Sequence, residues 1–267
     1  MGITFRNIRE FSNIKTSPND NIELPEPLPE PLPEPVPEQP QVQLPAKYDP
    51  ITDTGYYGAV NASELFTGQE LSAALGLTAG ALHNDNTQWL HFYVGSNAAC
   101  NREPNKVPYE IYIAKQSVRY NLSWNQINAV GAVVGKAVTD KKGNEYICRI
   151  PTGADADPHP RNDGGGGNKT RDGLCEWDAL IYRVHTSVPV GQVGDNWESF
   201  NTTETNNVGQ DNGARTWCCE RHPYGTGTIR RVVRGGYGII DYFHINVGSN
   251  QTHSVYGFRP VLVKRLS

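Results

Sequence analysis

The sequence is short of charge, of basic excess and of long apolar runs. Charged residues make up 19% of its 267 residues, below the quarter usual for soluble domains, and Gly, Asn, Thr and Tyr fill the space. That mixture disfavours a helical bundle and suits short strands joined by loops. The formal net charge is −4, and Glu26, Glu30, Glu34 and Glu38 crowd into one segment, so the rest is nearly neutral. With no basic face, no nucleic-acid partner is expected. The longest apolar stretch, Ile127 to Val138, is too short to cross a bilayer and contains Lys136, so no membrane insertion is expected. The opening Met1-Gly2-Ile3-Thr4-Phe5-Arg6 lacks the apolar region of a secretory signal, which predicts assembly in a cytoplasm.

A disulfide framework is also missing. The cysteines are five, an odd number, and Cys218 and Cys219 are adjacent. Neighbours in a strand point apart, so a bond between them would be strained. Buried thiols at Cys100, Cys148, Cys175, Cys218 and Cys219 are expected instead. Neither His-Glu-x-x-His nor Gly-x-Ser-x-Gly occurs. His222, close to Cys218-Cys219-Glu220, is the one local Cys/His grouping and a weak candidate for a thiol nucleophile or metal ligand. The expectation is a protein that is not an enzyme, with no cofactor and no resident metal.

What is present begins with a repeat. Residues 24–40 read Leu-Pro-Glu-Pro three times and then Val-Pro-Glu-Gln-Pro. Proline at alternate positions fixes φ and removes backbone donors, which excludes helix and sheet. Polyproline II remains, and at about 3.1 Å per residue it would reach roughly 50 Å. A stiff spacer implies something held at each end. In residues 1–23, Ile3, Phe5, Ile8, Phe11 and Ile14 are apolar, and Arg6, Arg9 and Lys15 are basic. So short a peptide cannot bury its own apolar groups, so it is expected to dock on a partner by strand addition or as a helix in a groove. The expected organisation is an anchor peptide at 1–23, a Pro-rich linker at 24–47 and one domain at 48–267.

Within that domain, Thr67 with Glu70 and Gly76 predicts a capped helix over the intervening residues. Ser123 predicts the start of a second short helix running to Val130. Trp89 to Val94 and Tyr109 to Ala114 read as strands. Thr139 to Ile150 reads as a hairpin turning at Lys141-Lys142-Gly143-Asn144. Residues 151–173 form a Gly/Asp/Asn/Pro-rich loop. The fold class expected is α+β.

Three local patterns have ordinary explanations. Gly164-Gly165-Gly166-Gly167-Asn168-Lys169-Thr170 fails as a phosphate loop, because Asn168 and Asp163 replace required glycines and no strand precedes it. Glu103-Pro104-Asn105 matches the sugar-binding tripeptide of calcium-dependent lectins but stands too early and lacks its Trp-Asn-Asp companion. Asp155, Asp157, His159 and Asp163 have metal-like spacing, yet such runs are usually solvated loops.

The C-terminal third carries the more specific pattern. Glu176-Trp177-Asp178, Trp217-Cys218-Cys219-Glu220, Val233-Arg234-Gly235-Gly236 and Tyr256-Gly257-Phe258-Arg259-Pro260 follow one another. This order resembles the C-type-lectin-like fold in the variant shared by formylglycine-generating enzymes and phage or diversity-generating-element proteins. Ile113-Ala114-Lys115-Gln116, Leu122-Ser123-Trp124-Asn125 and Tyr146-Ile147-Cys148-Arg149 resemble segments of tailed-phage virion structural proteins. The resemblance covers roughly residues 60–265. It implies twisted antiparallel strands with short helices, and a long exposed loop between the Arg-Gly-Gly and Gly-Phe-Arg-Pro strands. Tyr237, Asp241, Tyr242, His244, Asn246, Asn250 and His253 are the candidate ligand-binding residues there, a paratope-like mixture of aromatic and adaptable polar groups.

From the residues themselves, Arg234 and Arg259 are expected to be buried or paired, and Trp177 and Trp217 to be core anchors. The copper-binding cysteine pair of formylglycine-generating enzymes has no match in Cys218-Cys219. The function expected is that of a virion structural protein (decoration, collar or tail fibre). Its partners would be capsid, neck or tail proteins, with a host-surface glycan or protein as the ligand; a homo-oligomer is compatible with this. The alternatives are a formylglycine-generating-type oxidase and a calcium-dependent glycan-binding module.

Overall fold

A computed structural model describes residues 42–158, 174–186, 188, 196–201, 212–222, 230–236, 239, 242–243 and 247–266, with the side chains of 222, 242 and 243 excepted. The readings placed on residues 1–41 and on the glycine-rich 159–173 lie outside them. All the described residues belong to the unit Gln41–Ser267. They form a mixed α+β structure of mainly antiparallel sheets with few, short helices.

One sheet has the order β1-β2-β4-β5-β13-β8-β7 and is antiparallel throughout. Its strands are β1 (Lys47–Asp49), β2 (Thr54–Val60), β4 (Trp89–Val94), β5 (Tyr109–Ala114), β13 (Val261–Arg265), β8 (Glu145–Arg149) and β7 (Lys136–Thr139). The second has the order β11-β10-β9-β12-β6-β3. It contains β11 (Tyr242–Phe243), β10 (Arg230–Gly235), β9 (Arg215–His222), β12 (Tyr256–Phe258), β6 (Arg119–Tyr120) and β3 (Ala81–Leu82). The β9–β12 pair is parallel.

The first sheet is buried on both faces at its centre, and period-two side-chain alternation explains how. Tyr109, Ile111 and Ile113 of β5, with Val261 and Val263 of β13, join Leu90 and Phe92 in one core with Trp177, Leu180 and Ile181. Tyr112, Ala114 and Leu262 face the other core, with Trp89, Leu71, Leu75, Trp124 and Trp217. Each such fully buried side chain contributes about 1.5–3 kcal/mol. Near-continuous apolar runs such as Ile111-Tyr112-Ile113-Ala114 are the sequence consequence.

The helices follow their caps. In α1 (Gly68–Leu75) the Thr67 hydroxyl accepts from the Glu70 amide at 3.1 Å, and the Glu70 carboxylate accepts from the Thr67 amide at 2.8 Å. Gly76 closes it in the left-handed conformation at φ 67°. In α2 (Trp124–Ala129), Ser123 and Gln126 make the same reciprocal pair. The hairpin turns where expected, with Asp140 accepting from the Lys142 and Asn144 amides at 2.8 and 2.9 Å. Its first strand, β7, begins earlier, at Lys136. The domain also starts before Tyr48: Pro45 is buried and β1 begins at Lys47.

Trp177–Ile181 forms a π-helical turn followed by a 3₁₀ turn, Tyr182–Val184. Nothing in the local sequence signals it. All eight residues are buried, so the turn is held by packing rather than by propensity.

Candidate functional site

Three buried arginines tie the sheets to each other and to the turn that begins at Trp177. Arg149 of β8 grips Glu176 with both terminal nitrogens, one at 2.7 Å, and the Glu176 carboxylate also accepts from the Thr152 amide at 2.9 Å. Arg234 of β10 donates to Asp178 at 2.5 Å and to the Gly153 carbonyl at 3.1 Å. Arg259 is fully buried and donates to the Ala114 and Lys115 carbonyls and to the Thr216 hydroxyl. Arg234 and Arg259 both lie near the Trp177 ring, at 5.6 and 5.4 Å from its centroid. Arg234, Arg259, Trp177 and Trp217 thus occupy the buried positions expected from sequence. The Arg-Gly-Gly and Gly-Phe-Arg-Pro segments are the strands β10 and β12, one on each side of β9.

The segment between β10 and β12 is tied down where it is described. Tyr242 and Phe243 pair with Arg234 and Val233. Further on, the Arg231 amide donates to the Val247 carbonyl at 3.2 Å and the Asn125 amide to the Ser249 carbonyl at 2.9 Å. Of the seven candidate binding residues, Asn250 and His253 are exposed. The His253 Nδ1 accepts from the Val255 amide at 3.3 Å. Tyr242 is placed by its backbone in β11. Tyr237, Asp241, His244 and Asn246 lie outside the described residues, as do Ile3, Phe5, Ile8, Phe11 and Ile14 of the anchor peptide.

The thiols are unbridged. Between the Arg231–Arg221 and Val233–Trp217 pairs the register shifts, so β9 carries a bulge at Cys218, Cys219 and Glu220. A bulge bends a strand and re-aims its side chains. Cys218 packs with Ala154 and Val232, whereas the Cys219 sulfur lies 3.3 Å from the Ile150 carbonyl oxygen and 3.7 Å from that of Val133. Burial pushes both thiols well up, and the Glu220 charge adds to it. Glu220 is itself raised to about 7 by burial, although its carboxylate accepts from the Gly153 amide at 3.0 Å. Among the described residues no group of three His, Cys, Asp or Glu side chains could hold a metal ion. Asp157 pairs with Arg221 and Glu103 with Arg265; His159 and Asp163 lie outside the description.

Beside the bulge is a cleft of about 570 Å³, unanticipated from sequence. Trp124 at the start of α2, Arg149 of β8, Cys219 of β9 and Arg231 of β10 line it, with Arg102, Glu103, Asp157 and Arg265 around it and Val133, Val134 and Ile147 forming an apolar wall. The Arg231 guanidinium carbon lies over Trp124, 3.4 Å from the ring centroid. The signal available in sequence was Arg230-Arg231 heading the apolar strand Val232-Val233. Adjacent arginines fall on opposite faces, so one of them had to turn inward.

Comparison with family models, with curated proteins and with solved structures matched none of them.

Proposed function

We propose that the chain is a non-enzymatic phage virion structural protein whose C-terminal unit is a C-type-lectin-like head. Residues 1–23 dock on a capsid, neck or tail protein, the Pro-rich linker projects the head, and the head meets a host-surface glycan or protein. The virion is its place of residence, after assembly in the host cytoplasm.

The observation that carries this reading is the mounting of the segment between Gly236 and Tyr256. Its two ends leave β10 and β12, which flank β9 and are held by Arg234 and Arg259 through buried contacts. A rigid scaffold holding both ends of a long connection is the arrangement in which loops serve recognition. Two mainly antiparallel sheets with short helices agree with a lectin-like head. The thiols, raised by burial, favour a structural role over a nucleophilic one for Cys218 and Cys219.

Deleting residues 1–23 tests the anchor. The truncated protein, supplied during phage assembly, is expected to fold but to be absent from purified particles. Incorporation at the level of the full chain would overturn the docking role.

A further inference from the structure

Arg231 is buried, with 9% of the residue's surface exposed. Its Nε has no hydrogen-bond acceptor, and no carboxylate among the described residues pairs with it. A buried cation without a counter-charge is costly, and a stacked indole offsets only part of that. The nearby acids are committed elsewhere. Asp157 is 3.1 Å from Arg221, Glu103 is 2.7 Å from Arg265, and Glu176 holds Arg149. Among the described residues Arg102 donates only to the carbonyls of Ala154, Asp155 and Leu174. Among the described residues Arg231 therefore has no direct ion-pair partner, and the Asp157 charge, itself paired with Arg221, reaches it only from a distance.

We propose that this cleft binds a small organic oxyanion, a carboxylate or phosphate carried on a sugar-sized body, with Arg231 as its principal contact. A guanidinium presents a planar fork that fits either group bidentately. Trp124 packs against that fork within the cleft. The volume falls within the roughly 300–1,000 Å³ of small-molecule sites and exceeds what a bare inorganic ion needs. Val134, 82% exposed, and Ile147, 38% exposed, offer an apolar wall for the C–H face of the ligand. Burial lowers the Arg231 pKa, as expected of a cation that a bound anion would relieve. The proposal stands whether or not the protein resides on a virion.

The full chain would be titrated calorimetrically with glucuronate, glucose 6-phosphate and uncharged glucose. Saturable binding of at least one of the two sugar anions is expected, weakening as salt rises, with none for glucose. Which anion binds identifies the oxyanion. Arg231→Met should reduce that affinity at least tenfold while leaving Tm unchanged or higher, because it removes a buried charge with no direct ion-pair partner among the described residues. Val134→Asp, on an exposed turn that leaves the core intact, should weaken the same anion by repulsion. The proposal is overturned if neither sugar anion binds, if Arg231→Met binds as tightly as the parent, or if Val134→Asp has no effect.

Discussion

Glu220 illustrates how much one buried side chain can govern. Burial raises its pKa from 4.5 to about 7, with the Glu176 charge adding to the rise and the Gly153 amide and Arg102 opposing it. A carboxyl whose folded pKa lies above its unfolded one binds more protons folded than unfolded between those values. Stability must therefore fall as pH rises from about 4.5 to about 7, by an amount on the order of 3 kcal/mol at about 1.4 kcal/mol per pH unit. Asp140 has the opposite sign. Burial alone would raise it, but hydrogen bonds from Asn144 and Lys142 hold it below 3.8, so its contribution is present above that value and lost on acidification. The expected Tm profile peaks on the acid side of neutrality. Glu220→Gln should flatten the fall toward pH 7 and leave the acid limb in place; an unchanged profile in scanning calorimetry would refute the assignment. At this scale Arg234 and Arg259 were legible, because a guanidinium inside an apolar strand must find partners. Arg231 was not, because only the assembled cleft shows it stacked on Trp124 with no ion-pair partner among the described residues.

Among the elements, the most legible were those whose signals are local. The Thr67/Glu70 and Ser123/Gln126 boxes mark helix starts because the first amides of any helix need acceptors. Thr67→Ala should cost about 1 kcal/mol. Gly76→Ala should cost about 1–2 kcal/mol from the left-handed backbone alone, since nothing lies within 4 Å of the added methyl. Urea denaturation measures both, and a neutral Thr67→Ala would show that the cap is dispensable. Gly257 explains the glycine of the Gly-Phe-Arg-Pro strand: a Cβ there would stand 2.3 Å from the Ser117 hydroxyl and 2.8 Å from the Gly213 carbonyl. The π-helical turn at Trp177–Ile181 and the bulge at Cys218–Glu220 had no such local signal. Both arise where neighbouring elements impose an irregular path, and no capping or alternation pattern announces that.

For the whole molecule, both apolar cores are built from residues between Tyr56 and Val263. A fragment spanning 41–267 should accordingly unfold in one cooperative transition without residues 1–40. Loss of cooperative melting in that fragment would show that the N-terminal forty residues are needed for folding.

The sequence by itself determined the capped helices, the central strands and the unbridged cysteines. These follow from steric and hydrogen-bonding rules that act within a few residues. The tertiary structure alone decided how Arg149, Arg234 and Arg259 are partnered, that β10 and β12 flank β9, and that Arg231 and Trp124 line one cleft. Those depend on contacts between residues as far apart as Glu103 and Arg265, and no local rule places them together.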